Sequence, residues 1–369
     1  MALRSQQEDA PSPRRTGASS FLPPLALAFL ATLAVLGVLV LAIVLFGHPP
    51  AQPLARVTLT LAPQVVAPVP PPPSSSSSGL TQAPAPKAVT LSPEPTAPVY
   101  AGKALIADPA LIERTSEGPL PRIAADGRTP LSAYAPRFEA GRGIKIAIVI
   151  TGLGLDGRAT LSAIDKLPPA VTLAFAPYGA RLGHWLRLAR RKGHEVLLEV
   201  PMEPRNFPDS DAGPHSLRPS LSADDNLARL KWVLTRATGY VGVTNLMGGR
   251  FLAEPLACEP VLSFLASRGL MFFYSSKGAR ARAVARQLKA PYVRNDLRLD
   301  AVAAPAAIDQ RLTELESIAR HAGEAVGTGS VYPVTLAHVA VWARGLRGRG
   351  FVLVPASSIV QSESLNRRH

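Results

Sequence analysis

The 369-residue chain contains a single cysteine, Cys258. One thiol cannot form an intramolecular disulfide, and it cannot supply the Cys-rich zinc motifs. It falls in FLAEPLACEPVLSFLASRG, a helical stretch in which its expected part is packing. Aromatic residues make up only 6% of the chain and do not interleave with the basic ones. The formal net charge of +14 therefore lacks the stripe of a nucleic-acid surface, and nucleic acid is not an expected partner. Arg is spread over the helical segments, as in Arg- and Ala-rich proteins from GC-rich genomes; attraction to an anionic lipid or polymer is the competing reading. Neither HExxH nor G-x-S-x-G occurs. The histidines do not gather: His184 falls on a helix, His194 at a strand start, His215 in a loop and His321 near a helix end.

What is present is unevenly spread. Residues 25–46 read LALAFLATLAVLGVLVLAIVLF, a run of 22 without a charge. As a helix it would be about 33 Å long, enough to cross a bilayer. Arg4, Arg14 and Arg15 precede it, and the next basic residue is Arg56. The positive-inside rule then keeps residues 1–20 in the cytoplasm and sends everything after an anchor at 21–46 outside. A cleaved signal peptide is the rival, but the run is longer than the usual apolar core of one. Many of the 37 prolines crowd into residues 47–100, which include PVPPPPSSSSSG and carry only Arg56, Lys87 and Glu94 as charges. That composition cannot bury a core and predicts a disordered, partly polyproline spacer. Residues 101–142 read as a lead-in segment, and residues 361–369 as a tail.

From residue 143 to 360 short apolar runs alternate with amphipathic stretches. Strand-like runs occupy 144–150, 171–177, 194–201, 240–245, 270–275, 291–300, 324–331 and 351–357. Between them LGHWLRLARRKG, SADDNLARLKWVLTRATG and AIDQRLTELESIARHAG read as helices. Ser222 offers a cap to the second, and each stretch ends in a Gly. Continuous apolar strands separated by helices call for an α/β fold with a parallel sheet. So many units in so short a span favour a (β/α) barrel of seven or eight parallel strands over an open sheet.

In such a barrel the site forms at the C-terminal ends of the strands. That selects Thr151 and Gly152, Glu199 with Glu203 in the PMEP loop, Thr244 and Asn245, Tyr274 and Ser275, Asp296 and Asp300, and Thr328 and Ser330. Glu199 and Glu203 are the candidate acid–base pair. The plainer alternatives are an Arg partner for Glu199 and a surface position for Glu203. Arg294 and Arg298 flank Asp296 and Asp300, where ion pairing is the simple account.

IKIAIVITGLG, VTLAFAPYG, GHEVLLEVPMEP, GPHSL, GYVGVTNLMGGRF, RGLMFFYSS, the Asp of the sixth strand and RGFVLVPAS occur in one order. Together they resemble the divergent polysaccharide deacetylases over residues 143–360. The resemblance implies a deacetylase-like (β/α) barrel, usually exported, with metal-assisted removal of acetyl groups from amino-sugar polymers. Together with the anchor read from residues 21–46, this places the domain in the periplasm of a bacterium, on a single-pass inner-membrane anchor. It also makes cell-envelope polysaccharide or peptidoglycan the expected partner, with an envelope protein as a further possibility.

The pattern is incomplete. Thr151, Glu199, Leu246 and Tyr274 stand where members of the family commonly carry Asp, His, the His of N-H-M-G, and Asp. Thr, Leu and Tyr cannot replace a carboxylate and an imidazole as zinc ligands. The resemblance implies zinc, yet the residues predict no metal ligand set and no cofactor. Asn245, Arg250 and Asp300 remain as candidate sugar-binding residues beside Glu199 and Glu203. The expectation is a glycan-binding or glycan-processing protein whose metal site has been lost. The alternatives are an active deacetylase or carboxylate-based hydrolase, and a non-catalytic envelope scaffold.

Overall fold

The computed structural model describes residues 107–136, 143–276 and 278–360. The expected cytoplasmic tail, membrane anchor, spacer and C-terminal tail lie outside the described residues. Among the described residues no helix is long and apolar enough to cross a membrane.

The domain is a parallel half-barrel sheet with helices on its outer side. Its strands are β3 (Ile144–Leu153), β4 (Thr172–Phe175), β5 (Val196–Met202), β6 (Gly242–Met247), β7 (Met271–Tyr274), β8 (Tyr292–Arg294), β9 (Leu297–Arg298), β10 (Glu324–Ser330) and β11 (Phe351–Leu353). Their order is β8-β7-β6-β5-β4-β3-β10-β9, with β11 added to the start of β3. The expected run 291–300 is split in two. The Asn295 amide donates to Tyr274 O on one side, and the Asp296 amide donates to Val326 O on the other. The chain thus steps from one end of the sheet to the other within two residues. No ladder joins β8 to β9, so the expected closed ring is met only as far as a half-barrel.

Alternation along the strands separates two cores. Ile146, Ile148, Ile150, Leu198, Val200, Val243 and Phe272 face the helices. Ala147, Val149, Ala174, Leu197, Met271, Phe273, Val293 and Val326 fill the concave side. Small and branched residues suit that side because little width is available inside such a sheet.

The three stretches read as helices, and the one around Cys258, are helical, and further helices accompany them. The helices include α2 (Gly157–Lys166), α3 (Leu182–Arg191), α4 (Ala223–Thr235), α5 (Pro255–Ser267), α6 (Ala279–Gln287), α7 (Pro305–Ala322) and α8 (Pro333–Arg344). Ser222 caps α4 by accepting from the Asp225 amide, and Gly323 ends α7 at φ 83°. Both follow from local chemistry, a hydroxyl for an orphan amide and a residue without Cβ for the left-handed stop.

The lead-in segment is part of the domain. It forms a hairpin of β1 (Ile112–Thr115) and β2 (Gly118–Pro121), then a short helix α1 (Pro130–Tyr134). Leu111, Ala124 and Tyr134 join the concave-side core from below, at the N-terminal ends of the strands. Ala356 and Ile359 close the same end after β11. There the Ala356 amide donates to Thr172 Oγ1 and the Ser357 amide to Glu195 Oε1. An Arg268–Glu113 ion pair ties the hairpin to the end of α5.

Candidate functional site

With one end of the half-barrel plugged, the C-terminal ends of the strands form the open mouth. Residues that follow the concave-side apolar layer by two positions point into this mouth. On β5 that residue is Glu199, two beyond Leu197. On β6 its register partner is Thr244, and on β10 Thr328 stands two beyond Val326. Arg298 of β9 pairs with Thr328 in register, and Ser330 pairs with Thr151 of β3.

Glu199 is 1% exposed, and its Oε1 accepts the Gly152 amide at 2.5 Å. Its Oε2 has no partner. Gly152 turns at φ 84°, a backbone state that favours Gly and aims the amide at the carboxyl. Burial raises the Glu199 pKa to about 7, against the smaller opposing effects of that hydrogen bond and of Arg298. A buried carboxyl without a directly bonded cation keeps its proton longer than one in water. The expected Arg partner for Glu199 is therefore replaced by a backbone amide, with Arg298 acting at longer range.

Glu203 is buried rather than exposed on a loop. Its carboxylate lies 2.9 Å from Arg250 Nη1, an ion pair without the alignment of a directed hydrogen bond. The Glu203 carbonyl accepts the amides of Arg250 and Phe251, which binds the PMEP loop to the turn after β6. That turn is left-handed at Met247 (φ 61°) and at Gly248 (φ 88°). A Cβ at Gly248 would stand 2.9 Å from Met202 Cβ, so the close approach of the two loops requires glycine there.

Asn245 does not open into the mouth. It is 2% exposed, and its amide group donates to Met247 O at 2.6 Å and to Ser276 Oγ at 3.1 Å. Its Oδ1 accepts the Ser275 amide at 3.0 Å. Asn245 fastens the end of β6 to the end of β7, which makes it a framework residue rather than a ligand contact. Asp300 is also fully engaged. Its Oδ1 accepts from Arg298 Nε at 2.5 Å, and its Oδ2 accepts the Ser330 amide at 2.5 Å and Thr335 Oγ1 at 3.0 Å. Asp296 accepts the Val326 amide at 2.9 Å and pairs with Arg294 at 3.1 Å. Arg250 is the candidate sugar-binding residue that remains exposed.

Tyr274 faces the helices, and its hydroxyl donates to Ala281 O. Thr151 donates to Gly329 O at 3.2 Å. His194 is wholly buried at the opposite end, with ring nitrogens 2.9 and 3.1 Å from the carbonyls of Val171 and Ile164.

Residues 148–360 match a known family, described as divergent polysaccharide deacetylase. The chain belongs to the divergent polysaccharide deacetylase family. A crystal structure of an uncharacterized protein from Agrobacterium tumefaciens C58 is similar, at 40% identity and a TM-score of 0.64. It covers 65% of this chain and 99% of its own. The uncharacterized protein YibQ of Escherichia coli K12 is 24% identical over 223 residues, 60% of this chain and 67% of its own.

The zinc that this family implies does not fit the donor set at the mouth. Among the described residues no three His, Cys, Asp or Glu side chains come together as a metal would need. Three of the four mouth carboxylates are already paired with Arg250, Arg294 or Arg298. A structural or catalytic zinc site requires three or four N, S or O donors, with histidine or cysteine among the usual ones. Glu199 alone is left, and no histidine stands beside it.

The sequence reading missed the part played by Arg298 and by the buried hydroxyls of Thr244 and Thr328. Both hydroxyls are fully buried without a hydrogen-bond partner. Their signal in the sequence was only their place at strand ends.

Proposed function

We propose that this divergent polysaccharide deacetylase domain binds an amino-sugar glycan of the cell envelope at its mouth, without the metal chemistry of the family. The observation that supports it most is the fate of the acids. Glu203, Asp296 and Asp300 are spent on arginines and backbone amides, which holds the mouth in shape and leaves no converging set for a metal. Hydrogen-bonding groups at a concave, pre-formed mouth suit a sugar polymer. In this proposal the domain is periplasmic, held to the inner membrane by residues 21–46 through the spacer at 47–100.

Calorimetric titration of the full-length protein in detergent with zinc chloride is expected to give no stoichiometric binding at micromolar concentration. One equivalent bound at micromolar affinity would mean that a ligand set assembles at the mouth after all. Titration with chitin and peptidoglycan oligomers is expected to give binding that weakens roughly tenfold when Glu199→Gln and Glu203→Gln are combined. Unaltered binding would move the function to another face of the domain.

A second reading rests on Glu199. A carboxyl that titrates near 7 inside a mouth is poised for general acid–base work at neutral pH. If the domain hydrolyses an oligomer in the first titrations, Glu199→Gln should abolish turnover while leaving the oligomer bound.

A further inference from the structure

This inference rests on the glycan reading and concerns the charge that the mouth accepts. Arg250 and Arg298 stand at the mouth and Arg294 on the helix-facing side of the β8 edge, each held by a buried or largely buried acid. Arg250 and Arg294 are 57% and 50% exposed and pair with Glu203 and Asp296. Arg298 differs from both because alternation turns it to the concave side, between the outward-facing Leu297 and Leu299. Its Nε is fixed by Asp300, and its Nη2 donates to Ser330 Oγ at 2.6 Å. The Asp300 side chain is wholly buried, whereas that of Arg298 is 44% exposed. An acid saturated from below thus presents a guanidinium upward, with Nη1 left for a ligand.

Apart from Asp300, whose carboxylate is already engaged, the groups around Arg298 can donate. Ser330, which it holds, pairs with Thr151, and the next residue, Gly152, holds Glu199. Glu199 is protonated over much of the range below neutral and then offers Oε2–H rather than a negative charge. Thr244 and Thr328 add two buried hydroxyls without partners on the adjoining strands. A site built for a cation would place ionised carboxylates here; this one places a guanidinium beside neutral donors. Such a set matches an acceptor with two oxygens in a plane, because the guanidinium fork meets carboxylates in that geometry.

We propose that Arg298 is a specificity-determining residue and that the glycan it receives carries a free carboxylate, as an acidic amino-sugar polymer does and chitin does not. The cationic centre of the mouth is then an organic one, fixed by Asp300 and Ser330.

The test compares two peptide-free probes on the full-length protein: the neutral N-acetylglucosamine tetramer, and a tetrasaccharide whose muramic acid units bear lactyl carboxylates. The acidic oligomer should bind more tightly by on the order of tenfold, as a charge-assisted contact allows. Arg298→Gln combined with Asp300→Asn removes the pair together, so that no buried carboxylate is stranded. A far-ultraviolet spectrum and a cooperative thermal transition check that this variant is folded. In it the ratio of the two affinities should fall toward one.

Equal affinities in the wild-type protein would overturn the carboxylate preference while the glycan reading stands. A ratio that survives in the double variant would overturn the assignment to Arg298. Binding of neither oligomer would bring down the glycan reading and this inference with it.

Discussion

Glu199→Gln is expected to make the domain more stable at pH 8 and to leave its stability at pH 4 nearly unchanged. In the unfolded chain this carboxyl ionises near its ordinary value of 4.5, whereas in the folded domain it holds its proton to about 7. Between those values the folded state binds more protons, so folding loses stability as pH rises. Below the lower value both states are protonated and nothing is lost. Above the upper one both are ionised, and the full deficit, roughly 3 kcal/mol at about 1.4 kcal/mol per pH unit, is carried by the folded state.

Gln keeps the acceptor for the Gly152 amide and removes the ionisation. The difference between variant and wild type should therefore open between pH 4.5 and 7 and then level off. Urea midpoints at several pH values would measure it. Glu195, whose pKa burial also raises, is present in both proteins and cancels in the comparison. Parallel curves for the two proteins would mean that Glu199 does not carry its proton into the folded state.

The second large effect concerns the plug. A chain that begins at Gly143 retains every strand of the half-barrel but leaves the concave-side core open at one end. Leu111 is fully buried there, Tyr134 is 4% exposed, and the Arg190 guanidinium lies 4.7 Å over the Tyr134 ring. Losing these contacts exposes Ala147, Leu197 and their neighbours to water, at about 25 cal/mol for each Å² of apolar surface uncovered. The shortened chain is expected to show no cooperative thermal transition and to bind a hydrophobic dye. Within the full chain, Leu111→Ala alone should cost about 2–5 kcal/mol. A cooperative transition in the shortened chain, near that of the full one, would show that the half-barrel is stable without its plug.

The strands were legible because their signal is local. IKIAIVI and HEVLLEVP carry continuous apolar character, and the structure places strands within a few residues of the expected bounds. The run 291–300 was legible as a strand but not as two. Nothing in PYVRNDLRLD tells that Asn295 bonds to β7 and Asp296 to β10, because those partners lie far away in the chain. The lead-in escaped for a related reason. IERT and GPLP are too short to show a period, and Leu111 and Tyr134 become core residues only when the barrel floor is present to receive them.

At the site, position was readable and partnership was not. Strand ends selected Glu199, Glu203, Asn245 and Asp300; Glu203 and Asp300 lie just beyond β5 and β9, whereas β5 runs on to Met202 past Glu199 and β6 to Met247 past Asn245. Their roles depend on which donors reach them. Asn245 is closed off by Ser275 and Ser276, Asp300 by Arg298 and Thr335, and Glu203 by Arg250. Glu199 alone among them keeps an uncommitted oxygen without a cation in contact. The ion pairs of Arg294 with Asp296 and Arg298 with Asp300 were suggested by spacing, since two residues apart in an extended chain share a face.

The plug also decides where mechanical load would enter the domain. The described chain begins at one pole, in the segment that carries Leu111, and its last described segment, with Ala356 and Ile359, returns to that same pole. The mouth opens at the other pole. A pull transmitted through the residues before 107 would be taken up by the hairpin, by Tyr134 and by the Arg268–Glu113 pair, with Glu199 and Arg298 out of its path. Both described ends of the chain thus share the floor, and the mouth stands clear of them.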